Sequence, residues 1–128
     1  MPFDFAPPPA SSARGKQGYL KGLSAEEQVA RRYRRSGAEL LQERWRGNVG
    51  EIDLIFRSGK DIVFVEVKAS KSHARAAARV SAKQAARICA TAEEFLGTLP
   101  SGSLTPMRID VATVDAYGSI EIIENALM

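Results

Sequence analysis

One cysteine, Cys89, and one histidine, His73, stand among 128 residues, so the chain can build neither a disulfide framework nor a cysteine-rich zinc site of its own. No apolar run approaches the roughly 20 residues that a membrane-spanning helix needs. The segment after Met1 lacks the apolar core of a signal peptide, so the expected location is the cytoplasm. Aromatic residues are few, at 7%, and no internal repeat is visible. The most informative absence is local. From Val67 through Ala92 there is no acidic residue at all, only Lys68, Lys71, His73, Arg75, Arg79, Lys83 and Arg87. A net charge of +3 hides that asymmetry, which an average surface would not show.

What is present is ordinary for one globular domain: 45% hydrophobic and 26% charged residues, in a length that buries a single core. Residues 1–21, with Pro2, Pro7, Pro8, Pro9, Gly15 and Gly18, have no periodicity and read as a flexible tail. Ser24-Ala25-Glu26-Glu27 is a capping box, so a helix is expected from Ser24 to about Ser36, ending at Gly37. Leu23, Ala30 and Tyr33 would face the core, and Arg31, Arg32, Arg34 and Arg35 the outside. A short strand from Leu40 to Trp45 follows, then a turn at Gly47-Asn48. After a Gly/Ser/Pro-rich loop from Gly97 to Pro106, two more strands are expected, Met107 to Val114 and Ser119 to about Glu124, joined at Tyr117-Gly118. The order of elements is that of an α/β sandwich with a mixed sheet.

The centre of the chain is the stretch from Gly50 to Lys68. Two runs rich in Ile, Val and Phe flank Arg57-Ser58-Gly59-Lys60, the pattern of an antiparallel hairpin. With Ser58-Gly59 at the tip, Asp53 faces Phe64 and Glu51 faces Glu66. Glu51, Asp53, Ile55, Ile62, Phe64, Glu66 and Lys68 then share one side, while Ile52, Leu54, Phe56, Val63, Val65 and Val67 form a wholly apolar other side. The shared side is apolar near the turn and ionised at the far end, as expected of a sheet covered on both faces whose charged end opens into a cleft. Like charges gathered there need protons or a cation. A hard divalent ion held by one or two carboxylates, Asp53 and Glu66, is the reading favoured, with Lys68 beside its waters.

Beyond Lys68, the Ala-rich segment from about Ala74 to Leu96 reads as one long helix, with Val80, Ile88, Ala92 and Phe95 toward the core. On it Arg75, Arg79, Lys83 and Arg87, four residues apart, would form a single positive stripe. Adjacent like charges repel by a few tenths of a kcal/mol per pair, a cost that a polyanion would relieve. Cys89 reads as inert core, His73 as surface and Trp45 as a core or rim anchor.

The runs G-E-I-D-L-I and V-F-V-E-V-K, then Arg108-Ile109-Asp110-Val111 and the ending Glu124-Asn125-Ala126-Leu127, resemble the YraN family of uncharacterised bacterial proteins over roughly residues 22 to 127. An Asp on one strand and E-x-K on the next is the signature of the PD-(D/E)XK nuclease superfamily, which includes Holliday junction resolvases. The resemblance implies a restriction endonuclease-like three-layer sandwich, a central mixed β-sheet flanked by helices. It implies a metal-dependent endonuclease acting on DNA, with structured or branched substrates included, and Mg²⁺ or Mn²⁺ as cofactor. Carried over, Asp53 and Glu66 hold the metal, Lys68 positions or activates the attacking water, and Glu27 assists from the first helix. Glu27 is chosen over Glu26 because it precedes Ala30 by three and Tyr33 by six. Gln84 falls where the family usually has Lys, and joins Arg75, Arg79, Lys83 and Arg87 as a nucleic-acid contact. Few aromatics point to backbone rather than base recognition. Two other readings stay open: a nucleic-acid-binding module without turnover, and a module whose basic helix binds a protein partner. A homodimer is left open and a membrane partner is not expected.

Overall fold

The computed structural model describes residues 24–127; the tail expected over residues 1–21, and Leu23, lie outside them. Ser24 opens the first helix, α1 (Ala25–Arg35). Its Oγ accepts the Glu27 N–H at 3.0 Å, and its own N–H donates to Glu27 Oε1 at 3.2 Å. The capping box thus forms as its spacing dictates. The helix ends at Ser36, and Gly37 takes the left-handed φ of +96° that suits glycine there. Val29, Ala30 and Tyr33 are buried, and the four arginines lie outside.

Five strands form one sheet in sequence order: β1 (Glu39–Arg46), β2 (Glu51–Ser58), β3 (Asp61–Ala69), β4 (Met107–Val114) and β5 (Ile120–Ile123). All neighbours are antiparallel except β3 and β4. A parallel pair needs a long crossover, and here it carries two helices, α2 (His73–Ala77) and α3 (Ala82–Leu96), and a 3₁₀ turn over Gly102–Leu104. Val29, Ala30 and Tyr33 of α1 pack on Leu54, Phe56, Val63, Val65, Ala112 and Val114. On the opposite side Ile88, Ala92, Phe95 and Leu96 of α3 meet Ile52, Ile55, Ile62, Phe64 and Ile109. The architecture is a three-layer α/β sandwich with a mixed sheet. Trp45 does anchor this second layer, edge-on to Phe95 at 5.2 Å between ring centres. Among the described residues no helix is long and apolar enough to cross a membrane.

One polar cluster is enclosed. Asp110 on β4 is fully buried; it accepts the Tyr33 hydroxyl at 2.6 Å, the Arg108 Nε–H at 3.1 Å and the Asn125 N–H at 3.0 Å. It therefore ties α1 and the segment after β5 to the middle of the sheet. Burial, then the neighbouring Asp110, push the Tyr33 hydroxyl well above its usual range, so it remains a donor.

The structure departs from the sequence-based expectations at three places. The hairpin turns at Gly59-Lys60, with Ser58 paired to Asp61 and Ile55 to Phe64, two residues away from the expected register. Gly59, at φ +61°, supplies the turn's positive φ. A shift of two keeps each side chain on its side of the sheet, so Asp53, Glu66 and Lys68 remain grouped, but Glu51 does not face Glu66.

The second departure is Ile52, which packs against α3 rather than with Leu54 on the α1 side. The recorded β2–β3 pairs stop at Leu54 and Val65. Beyond them the Val67 N–H is taken by the Asp53 carboxylate, at 2.8 Å from Oδ2. On β1, Glu43 pairs with Leu54 and Trp45 with Ile52, which puts Arg44 level with Asp53. Arg44 has φ +49°, a left-handed conformation that costs a non-glycine residue about 1–2 kcal/mol. Both strands reverse their alternation at this level, turning Trp45 and Ile52 together onto α3.

The third departure is the long helix, which is broken. Ser72 Oγ accepts the Arg75 N–H at 3.2 Å and Ser81 Oγ accepts the Gln84 N–H at 3.0 Å, so two N-caps start two helices. Between them Arg79 Nη1 donates to the Ala69 carbonyl at 2.9 Å. Val80 is consequently only half-buried. The four-spaced stripe does not exist as one line: Arg75 is on α2, Arg79 in the link, and Lys83 and Arg87 on α3. His73 is not bare surface either, because its Nδ1 lies 2.7 Å from Thr113 Oγ1 and its Nε2 3.5 Å from Asp115 Oδ2.

Candidate active site

Asp53, Glu66, Lys68 and Gln84 converge where β2 leaves β3. Ser81 is responsible for the last of these: by starting α3 there it sets Gln84 in the first turn, with its amide Nε2 2.9 Å from Glu66 Oε2. Lys68 Nζ lies 3.2 Å from the same oxygen. Gln84, expected as a contact to nucleic acid, is therefore spent on the carboxylate. Glu66 is fixed through Oε2, and its Oε1 is buried without a partner.

Burial, then the charge of Asp53, push the Glu66 carboxyl up to about 7, against the lowering effect of Lys68. Burial also raises Asp53, opposed by the Val67 N–H. One proton on the pair relieves the repulsion between them. This is how two carboxylates behave when packed closer than their charges allow. A cation between them would replace the proton.

The donor set suits a hard divalent ion. Among the described residues no group of three or more His, Cys, Asp or Glu side chains is arranged to hold a metal, which leaves a pair of carboxylates and the unpartnered Glu66 Oε1. One or two carboxylates with the remaining positions left to water is how Mg²⁺ is typically held, so the residues fit the ion.

Among the described residues Glu27 does not complete a group of three metal-holding side chains with Asp53 and Glu66. Its Oε1 serves the cap, while Oε2 is buried without a partner and so is free to take a ligand. Glu27→Gln should keep the cap and shift stability by less than about 1 kcal/mol. It should weaken divalent-ion binding, though less than Asp53→Asn does. A metal titration that does not move would assign Glu27 to the cap alone.

Glu26, passed over for Glu27 in the sequence reading, and Arg44, which that reading missed, also stand near the site. Glu26 feels the charges of Asp53 and Glu51, and burial raises its carboxyl despite the bond to Arg44. Arg44 Nε lies 3.1 Å from Glu26 Oε1. Glu26 had a visible signal, being the neighbour of the capping glutamate; Arg44 had none, since only strand pairing brings it level with Asp53. Arg75, Arg79, Lys83 and Arg87 are all exposed, on separate pieces of the crossover. Arg87 leans on the start of β2: a Cβ at Gly50 would lie 2.8 Å from its Cγ.

A cavity of about 500 Å³ lies elsewhere, lined by Arg32, Tyr33, Arg108, Glu121 and Glu124 among others. Arg108 is paired there with Asp110 and Glu124. None of its lining residues is among those with an unpartnered buried side-chain atom, so nothing in it calls for a ligand as Glu66 does.

The chain is similar to a UPF0102 protein of Ruegeria pomeroyi, 54% identical over 117 residues that make up 91% of this chain and 95% of the relative. It is also similar to one of Cereibacter sphaeroides, 57% identical over 112 residues, covering 88% and 96%. A solved structure of the CdiA-CT/CdiI toxin and immunity complex from Burkholderia pseudomallei aligns over 94% of both chains at 16% identity, with a TM-score of 0.39, too slight a likeness to carry an argument. The profile of Uncharacterised protein family UPF0102 matches residues 25–114, and with these relatives it shows that the chain belongs to that family.

Proposed function

We propose that this protein is a metal-dependent endonuclease that hydrolyses phosphodiester bonds of DNA, and that the kinship with PD-(D/E)XK nucleases implied by its motifs is real. The observation that carries this reading is the Asp53/Glu66 pair. Both carboxyls are raised, and an oxygen of Glu66 is buried with no hydrogen-bond partner among the described residues. A purely structural ion cluster would satisfy that oxygen, because an unpaired buried polar group costs about 1–3 kcal/mol. Perturbed carboxyls of this kind mark functional sites more often than chance.

Asp53 and Glu66 supply the oxygens for Mg²⁺ or Mn²⁺. When bound, such an ion polarises a phosphate and lowers the pKa of the attacking water. Gln84 holds Glu66 in one orientation, and Asp53 is held by the Val67 N–H. The Lys68 ammonium, with about a fifth of its side chain exposed, offers charge and a hydrogen bond to a water or phosphate at the mouth of the cleft. Exposed Arg75, Arg79, Lys83 and Arg87 would serve as separate contacts to the strand.

The test is cleavage by purified protein of linear, single-stranded and branched DNA, and of RNA, with Mg²⁺, Mn²⁺ or EDTA. Cleavage of DNA that requires the ion is expected. Lys68→Ala should leave metal binding measurable and slow the chemical step by 10²-fold or more, the scale of a lost proton-transfer or positioning group. Binding of nucleic acid without cleavage under any condition would replace the proposal by a binding module that has lost turnover.

A further inference from the structure

Arg44 occupies a position that the nuclease reading does not use. It stands level with Asp53 on the adjoining strand, between the pairs Glu43–Leu54 and Trp45–Ile52. Strands are about 4.8 Å apart, less than the reach of an arginine side chain, and the charges of Asp53 and Glu51 act on its guanidinium, which stands near the same cleft. The side chain is 66% exposed, and its backbone is left-handed at φ +49°. The bond to Glu26 raises its affinity for its proton, followed by the charges of Glu26, Glu51 and Asp53. Its one hydrogen bond among the described residues is through Nε, edge-on to Glu26.

An arginine held by Nε keeps both Nη groups, a planar fork that matches the oxygens of a phosphate. The surroundings make that fork useful. Glu26, Glu51, Asp53 and Glu66 would together repel a polyanion, and at this end of the sheet Lys68, Arg44 and Arg46 are cations set among them, with Arg46 Nη2 paired to Glu51 at 3.5 Å. Lys68 is engaged by Glu66. A nucleic-acid strand carries a phosphate at every nucleotide, so a strand with one phosphate over Asp53 and Glu66 brings the next to the neighbouring strand of the sheet.

We propose that Arg44, oriented by Glu26, binds the phosphate next to the one attacked, so that the site selects a nucleic-acid backbone irrespective of base sequence. This rests on the nuclease reading above. Arg44 is then a substrate-binding residue, and Glu26 a positioning residue that acts through it.

The experiment measures binding of the full chain to a labelled DNA duplex in EDTA across a salt series, with a thermal melt of each variant. Arg44→Gln is expected to lower the log–log salt slope by about 0.9, the value of one phosphate contact on duplex, with the melt nearly unchanged. Arg44→Lys should restore the slope by restoring the charge. Arg57→Gln, an exposed arginine at the far, hairpin end of β2, should leave it alone. Where Arg44→Gln fails to fold, Arg44→Asn serves, since Asn accepts left-handed backbone. Binding with the same slope in wild type and Arg44→Gln overturns the proposal, as does an equal loss in Arg57→Gln, which would mean bulk charge only. Wild type that binds no nucleic acid in EDTA and cleaves none with Mg²⁺ or Mn²⁺ sinks the nuclease reading itself, an outcome distinct from either.

Discussion

Glu66→Gln is expected to abolish cleavage and, without divalent ion, to make the protein more resistant to heat at pH 8 than the wild type. The reason is the same for both effects. The folded-state carboxyl sits at about 7 against an ordinary 4.5, raised first by burial and then by Asp53. A raised acid costs nothing below 4.5, where it is protonated folded or unfolded. Stability falls as pH climbs from 4.5 through about 7, because the unfolded chain releases the proton while the folded chain still holds it, and the loss is complete above that. The shift corresponds to about 3 kcal/mol. The gap between Glu66→Gln and wild type should therefore be small at pH 4 and widen by up to that amount by pH 8. Gln still accepts from Gln84 and Lys68, so the fold is kept. Saturating Mg²⁺ or Mn²⁺ should close the gap by stabilising the wild type, and Asp53→Ala should also abolish cleavage. Paired melts at pH 4, 6 and 8 check this. A gap that ignores pH would show that Glu66 ionises freely, and persisting cleavage in either variant would remove the pair from the chemistry.

Asp110→Ala should destabilise the fold by roughly 3–5 kcal/mol, the usual cost of removing one partner from a buried charged cluster. Three donors lose their acceptor together: the buried Tyr33 hydroxyl, the Asn125 N–H and Arg108. Because single domains are stable by only about 5–15 kcal/mol, the variant should have a sharply lower urea midpoint. Tyr33→Phe, which leaves Asp110 its other two partners, should cost about 1.5–3 kcal/mol. It also keeps the ring stacked on Phe56, at 4.6 Å between centres. A loss below about 1 kcal/mol for Asp110→Ala would mean that water replaces the carboxylate. The tie matters for the site as well, because α1 carries Glu26 and Glu27.

How much of this was legible follows from which interactions are local. Ser24 and Glu27 are three residues apart, so the capping box could be read directly, and Gly37 marked the stop. Alternation of side chains placed Asp53, Glu66 and Lys68 on one side of the sheet, and that survived a register error of two residues because the side-chain period is two. The apolar run Ile62 to Val65 showed a strand buried on both faces. The helix break was written in Ser81 but masked by the helix propensity of the alanines around it.

The sequence by itself determined the α/β order, the central hairpin and the identity of the paired carboxylates, since each rests on spacing within a few residues or on a motif pair. Only the tertiary structure decided the rest. It set the level at which β1 and β2 reverse their alternation, the meeting of Gln84 with Glu66 across the crossover, and the place of Arg44 beside Asp53. Those depend on which strand lies next to which, and on a left-handed residue that no propensity calls for. Pairing of distant segments is settled by burying Trp45 and Ile52 against α3, a gain in apolar contact that outweighs a strain of about 1–2 kcal/mol at one residue.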